Sequence, residues 1–232
     1  MVSGLQTVAG SMLVTCAMHE TNIILIRHGE TAWNAERRLQ GHIDIALNPE
    51  GLRQAAALAA ALAGEDVDAV VASDLQRAQQ TACAVASARG MQVQTDPALR
   101  ERCYGGFEGL LYAEIAQRFP FEFARWQARD IDALMPPGAR SAETFRQFYT
   151  RSVDAILGWA AAYPGRSIAL VAHGGVLECA YRAATGLPLD TPRTFAVLNA
   201  SINRFTVGNG TLRLASWGGV AHLPPRGHDE LA

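Results

Sequence analysis

Two histidines and two arginines follow apolar runs at three separate places in the chain. Arg27 and His28 end the first run. His173 ends another, and Arg77 comes shortly after a third. The planar guanidinium of arginine suits bidentate binding of phosphate. Together, these residue types point to a site for a phosphate-like anion, provided that the fold brings them together.

The apolar runs have the length and composition of buried strands, and they comprise Ile23–Ile26, Ala69–Ala72 and Ser167–Ala172. Open α/β sheets bind ligands just outside the carboxyl ends of their strands. The pattern therefore predicts that the polar residues after these strands share one crevice. For any one motif alone, the alternative is a strand that merely ends in polar turn residues.

Arg77 is predicted to lie in the first turn of a helix over about residues 75–89, capped by Ser73 or Asp74 and ended by Gly90. There its charge adds to the positive end of the helix dipole, an arrangement that favours a bound anion. The alternative is a solvated arginine on the surface. The strand-to-helix turn beside the first motif favours the functional interpretation.

The amino-acid composition of the 232-residue chain narrows its possible functions. A hydrophobic fraction of 49% allows a sizeable core, and the length favours one domain. A formal net charge of -2 provides no general field for nucleic acid or an anionic membrane. All 20 basic residues are arginine. The absence of lysine excludes a P-loop lysine, a Schiff-base lysine and a pyridoxal enzyme.

The cysteines Cys16, Cys83, Cys103 and Cys179 have neither metal-ligand spacing nor the pattern of a disulfide framework. A reducing cytoplasm fits them best. Residues 1–21 lack the features of a signal peptide, and no apolar run reaches membrane-spanning length. We expect residues 1–21 to form an extension without its own fold, 22–223 to form the domain, and 224–232 to form a loose tail.

Four motifs follow one another along the chain: Arg27-His28-Gly29-Glu30-Thr31-Ala32-Trp33-Asn34, Ser73-Asp74-Leu75-Gln76-Arg77-Ala78-Gln79-Gln80-Thr81-Ala82, Leu99-Arg100-Glu101-Arg102 and His173-Gly174-Gly175. Together they resemble the histidine phosphatase superfamily, which contains the phosphoglycerate mutase-like enzymes. The resemblance covers about residues 22–223 and is specific because the motifs occur in the right order.

The resemblance implies an α/β fold: a three-layer α/β/α sandwich with a mixed, mostly parallel sheet and a small helical cap inserted at about 110–140. It also implies a metal-independent phosphomonoester hydrolase without a cofactor, acting on a small phosphorylated metabolite. In that reaction His28 becomes a phosphohistidine and Glu101 is the proton donor. Arg27, Arg77 and His173 complete the catalytic set.

Residues that bind phosphate or substrate are likewise implied by the resemblance, and they are Asn34, Gln40, Gly41, Thr31, Tyr104 and Gly174. Thr31 has a local turn role as its alternative. His42 is equally consistent with an exposed loop residue and a substrate contact. Glu101, flanked by Arg100 and Arg102, is alternatively an ordinary ion pair, and Glu108 is a weaker second candidate for the acid.

Further elements complete the expected domain. Asn48 and Pro49 have the residue types that begin a helix, and Gly64 is expected to end it. A long helix is predicted over 141–163 and a shorter one over 176–185. Asn209-Gly210 predicts a type I′ hairpin between two late strands. The aromatic residues of 110–135 fit either an apolar lid over the crevice or the core of a subdomain.

Three other functions are alternatives to hydrolysis. A phosphoglycerate mutase would share the first half-reaction, but that branch has a longer segment between the acid and the second histidine than the 72 positions here (173 minus 101). The mutase branch also has a lysine shortly after the Tyr-Gly pair, where this chain has Leu110-Leu111-Tyr112. After the second histidine it has Gly-Asn, where this chain has Gly174-Gly175. A metal-dependent hydrolase using His28, His42 and His173 lacks a suitable ligand spacing. A noncatalytic phosphate-binding module is expected to lack His28 or Glu101.

Overall fold

The computed structural model describes residues 20–224, in which a six-stranded mixed sheet lies between helices. The strands are β1 (Thr21–Arg27), β2 (Ala69–Ala72), β3 (Val93–Thr95), β4 (Ser167–Ala172), β5 (Ile202–Gly208) and β6 (Thr211–Gly219). The helices are α1 (Ala32–Ala35), α2 (Pro49–Leu62), α3 (Gln76–Ser87), α4 (Tyr112–Arg118), α5 (Pro120–Gln127), α6 (Phe145–Ala162) and α7 (Gly174–Thr185). Pro97–Leu99 and Gly105–Phe107 are short 3₁₀ turns.

The order of strands across the sheet is β3-β2-β4-β1-β5-β6. β1, β2, β3 and β4 pair in parallel, whereas β5 is antiparallel to both β1 and β6. β1 and β4 are therefore direct neighbours that end at the same edge of the sheet. The backbone N–H of His28 continues their pairing, donating to the Ala172 carbonyl at 3.0 Å.

Both faces of the sheet are covered by helices. Alternate residues of β1 point to opposite faces, and Ile24 and Ile26 pack in one cluster with Leu58 of α2 and Ala82 of α3. On the other face, Ile23 and Leu25 lie in a larger cluster with side chains of α6 and α7. The apolar run of β1 is buried on both sides, as parallel strands in such sheets are. The predicted three-layer α/β/α sandwich is confirmed.

The local signals for two elements are confirmed. The Asn48 side chain accepts a hydrogen bond from the Gly51 amide at 2.7 Å and caps α2, with Pro49 as the first helical residue. Asn209 and Gly210 have φ angles of 54° and 68°, which is the left-handed pair that a type I′ turn requires.

The predicted cap of α3 is wrong. The helix begins at Gln76, and its preceding residue Leu75 makes no side-chain cap. Instead, the Gln76 amide donates to Asp44 Oδ1 at 2.8 Å. Asp44 lies in a loop 32 residues earlier, so tertiary structure supplies the oxygen that Ser73 or Asp74 was expected to supply.

Two other helices begin at different residues from those predicted. α6 begins at Phe145 rather than near residue 141, because Thr144 caps it and forms a reciprocal capping box with Gln147. α7 begins at Gly174, two residues before the predicted start, directly after His173. β1 begins at Thr21, whose buried hydroxyl donates to the Ala160 and Tyr163 carbonyls.

The helical segment at 110–140 has its own small core, in which Ile115 and Met135 pack with Phe107 and Leu39. Trp126 borders the same cluster and also lines the cavity described below. The apolar residues of the 110–140 segment thus have both predicted roles: some form the core of a subdomain, and some line the cavity. The predicted extension up to residue 19 and the tail from 225 onward lie outside the described residues.

We predict that Gly51→Ala destabilises the domain, because a Cβ at residue 51 would lie 2.0 Å from the Glu30 carbonyl oxygen. A backbone oxygen cannot move aside cheaply, so the expected loss is about 1–3 kcal/mol of unfolding free energy, measured by urea denaturation. Gly64→Ala is the matched control, since nothing lies within 4 Å of a Cβ there. Equal stability of the two variants would contradict the close packing of α2 against the turn after His28.

Candidate active site

A cavity of about 830 Å³ opens at the carboxyl ends of β1 and β4. Nine of the eleven residues that the sequence predicts for the site line it, and Gly175 does too. The nine are Arg27, His28, Asn34, Gln40, Gly41, Arg77, Glu101, Tyr104 and Gly174. His173 is not among the lining residues but contacts His28, with the ring centroids 5.1 Å apart. The motifs therefore converge on one site, as the strand order requires.

The His28 ring is buried, with 3% of its surface exposed. Its Nδ1 lies 2.7 Å from the Gly29 carbonyl oxygen, which can only accept a hydrogen bond. Nδ1 therefore carries the proton, and Nε2 keeps its lone pair. Burial, together with the charges of Arg77 and Arg27, lowers the pKa of His28 well below its ordinary value. The imidazole is neutral at pH 7 and has a nucleophilic nitrogen.

The buried His173 ring has the opposite tautomer. Arg77 Nε, which is always a donor, lies 3.3 Å from His173 Nδ1, so Nδ1 accepts and Nε2 carries the proton. Burial, followed by the charge of Arg77, also lowers the pKa of His173 well below its ordinary value. Its Nε2 is buried without a hydrogen-bond partner among residues 20–224. A donor is thus available beside His28.

Arg77 is 1% exposed, so the alternative of a solvated surface arginine is wrong. Besides His173 Nδ1, its guanidinium donates to the carbonyls of Gly41 at 2.8 Å and Ile43 at 3.0 Å. Burial lowers its pKa to about 10, against the opposing effect of Glu101. The group therefore remains charged at neutral pH and connects α3, the Gly41 loop and His173.

Arg27 and Gly174 meet where β1 ends and α7 begins. The Arg27 guanidinium donates to the Val197 carbonyl. A Cβ on Gly174 would lie 3.5 Å from Arg27 Nε, so the helix N-terminus and this guanidinium are adjacent. An anion at this point would meet a positive side chain and the positive end of a helix dipole.

Asn34 is held by its amide oxygen, which accepts from the Thr31 amide at 3.1 Å and the Thr31 hydroxyl at 3.0 Å. The Thr31 hydroxyl also lies 3.1 Å from Gln40 Oε1. Thr31 is fully buried and does not line the cavity, whereas Asn34 and Gln40 do. Thr31 therefore orients two residues of the wall as the N-cap of α1.

The carboxylate of Glu101 accepts two backbone hydrogen bonds, from the Arg102 amide at 2.8 Å and from the Gly175 amide at 3.0 Å. A Cβ on Gly175 would lie 2.2 Å from Glu101 Oε1, so this approach requires glycine. The first turn of α7 thus holds the carboxylate at the cavity.

The alternative of an ion pair between Glu101 and its neighbouring arginines is not found. Arg100 forms a bidentate pair with Asp74, at 2.7 and 2.5 Å. Arg102 donates to the carbonyls of Glu143 and Ala133. The two cations that flank Glu101 in the sequence thus bind elsewhere.

His42 and Glu108 support the segment that carries Glu101. His42 Nε2 donates to the Glu101 carbonyl at 2.7 Å, so this ring is neither loosely solvated nor part of the cavity wall. Glu108 Oε1 accepts from the amides of His42 at 2.9 Å and Tyr104 at 3.0 Å. Glu108 therefore anchors two loops, while Tyr104 lines the cavity.

Asn199 contacts two residues of the site, His28 and Asn34, although the sequence motifs do not predict it. Its side-chain amide donates to the His28 carbonyl at 3.0 Å and lies 3.4 Å from Asn34 Oδ1. Asn199 precedes β5, which runs antiparallel to β1, so the start of β5 lies at the carboxyl end of β1. That pairing is the signal that could have indicated the loop before β5.

Within residues 20–224, no group of three or more His, Cys, Asp or Glu side chains is arranged to hold a metal ion. No helix in that part of the chain is long and apolar enough to span a bilayer.

Comparisons with known proteins agree with this geometry. Residues 23–219 match the family model of the histidine phosphatase superfamily (branch 1). The chain is 36% identical to phosphoglycerate mutase-like protein 4 of Arabidopsis thaliana over 208 residues, which are 88% of each protein. It is 37% identical to a metal-independent phosphoserine phosphatase of the same plant over 205 residues, covering 88% of this chain and 83% of that protein.

Among solved structures, the mycobacterial glucosyl-3-phosphoglycerate phosphatase superposes with a TM-score of 0.75 and 29% sequence identity. The match covers 87% of this chain and 100% of that one. The order of motifs, the site that they form and these matches lead to one conclusion. The chain belongs to the histidine phosphatase superfamily, branch 1.

Proposed function

We propose that this protein hydrolyses small phosphomonoesters through a phosphohistidine formed on His28 Nε2. The observation that carries the proposal is the state of His28: a buried, neutral ring whose Nδ1–H is bound to the Gly29 carbonyl, beside the cations Arg27 and Arg77. Relatives named as phosphatases support it. The scattered cysteines of the sequence suit a cytoplasmic enzyme.

A phosphoryl group needs an in-line nucleophile, and donors on its charged oxygens as it transfers. In the proposed reaction His28 Nε2 attacks phosphorus. The oxygens are bound by Arg27, Arg77 and the Nε2–H of His173. Further wall residues complete the binding site for phosphate or substrate, and these are Asn34, Gln40, Gly41, Tyr104 and Gly174, with Thr31 acting through its hydrogen bonds.

Glu101 is proposed as the general acid and base. It protonates the leaving oxygen as the ester bond breaks, then takes a proton from the water that attacks the phosphohistidine. Two backbone amides fix its carboxylate at the cavity, and no arginine within residues 20–224 forms a salt bridge with it. Because no arginine there neutralises the carboxylate in a salt bridge, Glu101 can exchange protons with substrate and water.

A phosphoglycerate mutase is the second candidate, supported by the name of the mutase-like relative. It would form the same phosphohistidine but return the phosphoryl group to a bound acceptor. After His173 this chain has Gly174-Gly175, where the mutase branch has Gly-Asn. A Cβ at residue 175 would lie 2.2 Å from Glu101 Oε1, so Glu101 would have to move. Incubation with 3-phosphoglycerate and 2,3-bisphosphoglycerate separates the two reactions, because a mutase makes 2-phosphoglycerate faster than free phosphate.

The nucleophile is tested by His28→Ala. We expect this variant to lose both phosphate release from p-nitrophenyl phosphate and the acid-labile phosphoenzyme trapped by rapid quench, because no other described side chain can replace the ring. Equal phosphoenzyme in the variant would refute the mechanism.

Wild-type activity should persist after exhaustive chelation, since arginines and histidines bind the phosphoryl oxygens. Activity restored only by a divalent cation would also refute the mechanism.

The protonation states predict the pH dependence. A lowered folded-state pKa means that His28 stays neutral below its ordinary pKa of about 6.5 and becomes protonated only in more acidic solution. kcat/KM should therefore not fall between pH 7 and about 6 through protonation of the nucleophile. Nitrogen-15 NMR of labelled histidine should show an Nδ1–H tautomer for His28 and an Nε2–H tautomer for His173. An imidazolium signal for His28 at pH 6.5, assigned with His28→Ala, would contradict this.

The role of Glu101 is tested by the basicity of the leaving group. Glu101→Gln should slow single-turnover phosphorylation by an alkyl phosphate by roughly 10²–10⁴-fold, because an alkoxide needs a proton to leave. Phosphorylation by p-nitrophenyl phosphate should slow far less, since p-nitrophenolate leaves without one. Glu108→Gln is the control and should not change the ratio of the two rates. Equal slowing of both esters in Glu101→Gln would mean that Glu101 only positions other groups.

A further inference from the structure

The proton on His28 Nδ1 is held by one peptide group, which joins Gly29 to Glu30. Its carbonyl oxygen accepts from Nδ1 at 2.7 Å. At the other end of the same peptide, the Glu30 N–H donates to the side-chain oxygen Oε1 of Gln54 at 2.8 Å. A backbone N–H can only donate, so the Gln54 atom that faces it is the oxygen rather than the nitrogen. A chain of hydrogen bonds therefore runs from Gln54 through this peptide to the nucleophilic ring.

Gln54 interrupts an otherwise apolar helix face. The buried residues of α2 are Gly51, Gln54, Ala55, Leu58, Ala59 and Leu62. Of these, Gln54 alone has a polar side chain, and only 5% of its surface is exposed. A buried amide costs free energy unless it is hydrogen-bonded, whereas a leucine at this position would extend the apolar face without that cost. The glutamine is therefore placed for its hydrogen bond rather than for packing.

Gly29 needs such support from other elements. Glycine has no Cβ and rotates more freely about its backbone bonds than any other residue. The peptide between His28 and Gly29 is also held at both ends, because its carbonyl accepts from the Asn199 side chain and its N–H donates to Thr81 Oγ1, each at 3.0 Å. Of the two peptides that flank Gly29, the one bound by Gln54 carries the oxygen that accepts from Nδ1.

Gln54 does not line the cavity, so it acts on the reaction through the ring and not on the substrate. Hydrogen bonds in a chain polarise one another. Because the Glu30 N–H donates to Gln54, the Gly29 carbonyl oxygen carries more negative charge and accepts more strongly from Nδ1–H. Nε2 then gains electron density for attack on phosphorus. The same chain also fixes the direction in which Nε2 points.

We propose that Gln54 is a positioning residue for phosphoryl transfer. It holds the peptide between Gly29 and Glu30, so that His28 keeps its proton on Nδ1 and presents Nε2 to phosphorus. This inference rests on the proposed function and adds to it a residue of α2. Nucleophilic sites commonly use a further group to orient the reacting side chains, and in this protein that group acts across one peptide.

The test removes the oxygen of Gln54 and keeps the shape of the side chain. Methionine in Gln54→Met is unbranched and has no oxygen. We expect single-turnover phosphorylation by p-nitrophenyl phosphate to slow by about 10- to 100-fold, the loss that a small misplacement of a reacting group causes. The inhibition constant of inorganic phosphate should hardly change, because the residues that bind its oxygens are untouched. Gln54→Glu keeps an oxygen at this point and should restore most of the rate.

Gln80 provides a matched control. Its Oε1 accepts from the Leu47 N–H, also at 2.8 Å, but Leu47 is not part of the chain that ends at His28. Gln80→Met should therefore lose similar stability in urea denaturation and keep the wild-type phosphorylation rate. Nitrogen-15 NMR of labelled histidine in the free protein gives a second measurement, in which the His28 signals should move in Gln54→Met and not in Gln80→Met. Gln54→Asn, whose side chain is one methylene shorter, should change both measurements if the methionine variant folds poorly.

The outcomes separate this proposal from the proposed function. A wild-type phosphorylation rate with unmoved His28 signals in Gln54→Met would overturn the role of Gln54 and leave the hydrolase intact. Equal slowing in Gln54→Met and Gln80→Met would overturn it too, because the rate would then follow stability and not the ring. If wild type forms no phosphohistidine, the hydrolase fails, and NMR of the free protein still decides about Gln54. Moved His28 signals then support the positioning of the ring, and unmoved signals refute it.

Discussion

The buried guanidinium of Arg77 determines the electrostatics of the site. Among residues 20–224 it has no carboxylate within salt-bridge distance, and its hydrogen bonds go to the His173 ring and to the Gly41 and Ile43 carbonyls. Burying a cation without a carboxylate partner costs solvation free energy. The same charge helps to keep both histidines neutral and fixes the tautomer of one of them. An incoming phosphoryl group would supply the missing negative charge.

Much of this arrangement could be predicted from sequence because it follows from the sheet. β1 and β4 are apolar runs that must be buried on both faces, and parallel neighbours end at one edge. Residues placed immediately after such strands, such as His28 and His173, are therefore neighbours in space. Contacts made by loops could not be predicted in this way. Asp44 caps α3 from 32 residues away, and Asn199 binds the His28 carbonyl from 171 residues away.

Glu101 shows why neighbouring charges in a sequence are a poor guide to ion pairs. At Arg100 the backbone has φ −59° and ψ 154°, the polyproline II conformation, in which neighbouring side chains point in different directions. Each arginine beside Glu101 finds its partners elsewhere in the chain. Arg100 reaches Asp74, and Arg102 reaches backbone carbonyls. Only the fold reveals that two amides, one of them from Gly175, hold the carboxylate.

The absence of lysine from the chain has a physical counterpart in the site. Burial lowers the pKa of Arg77 to about 10, which still leaves the group charged at neutral pH. A lysine has a lower ordinary pKa, about 10.4, so the same burial would bring it closer to losing its charge. An ammonium group also lacks the planar fork that lets Arg77 contact a ring nitrogen and two carbonyls at once. A site built from buried cations thus favours arginine both for its charge and for its geometry.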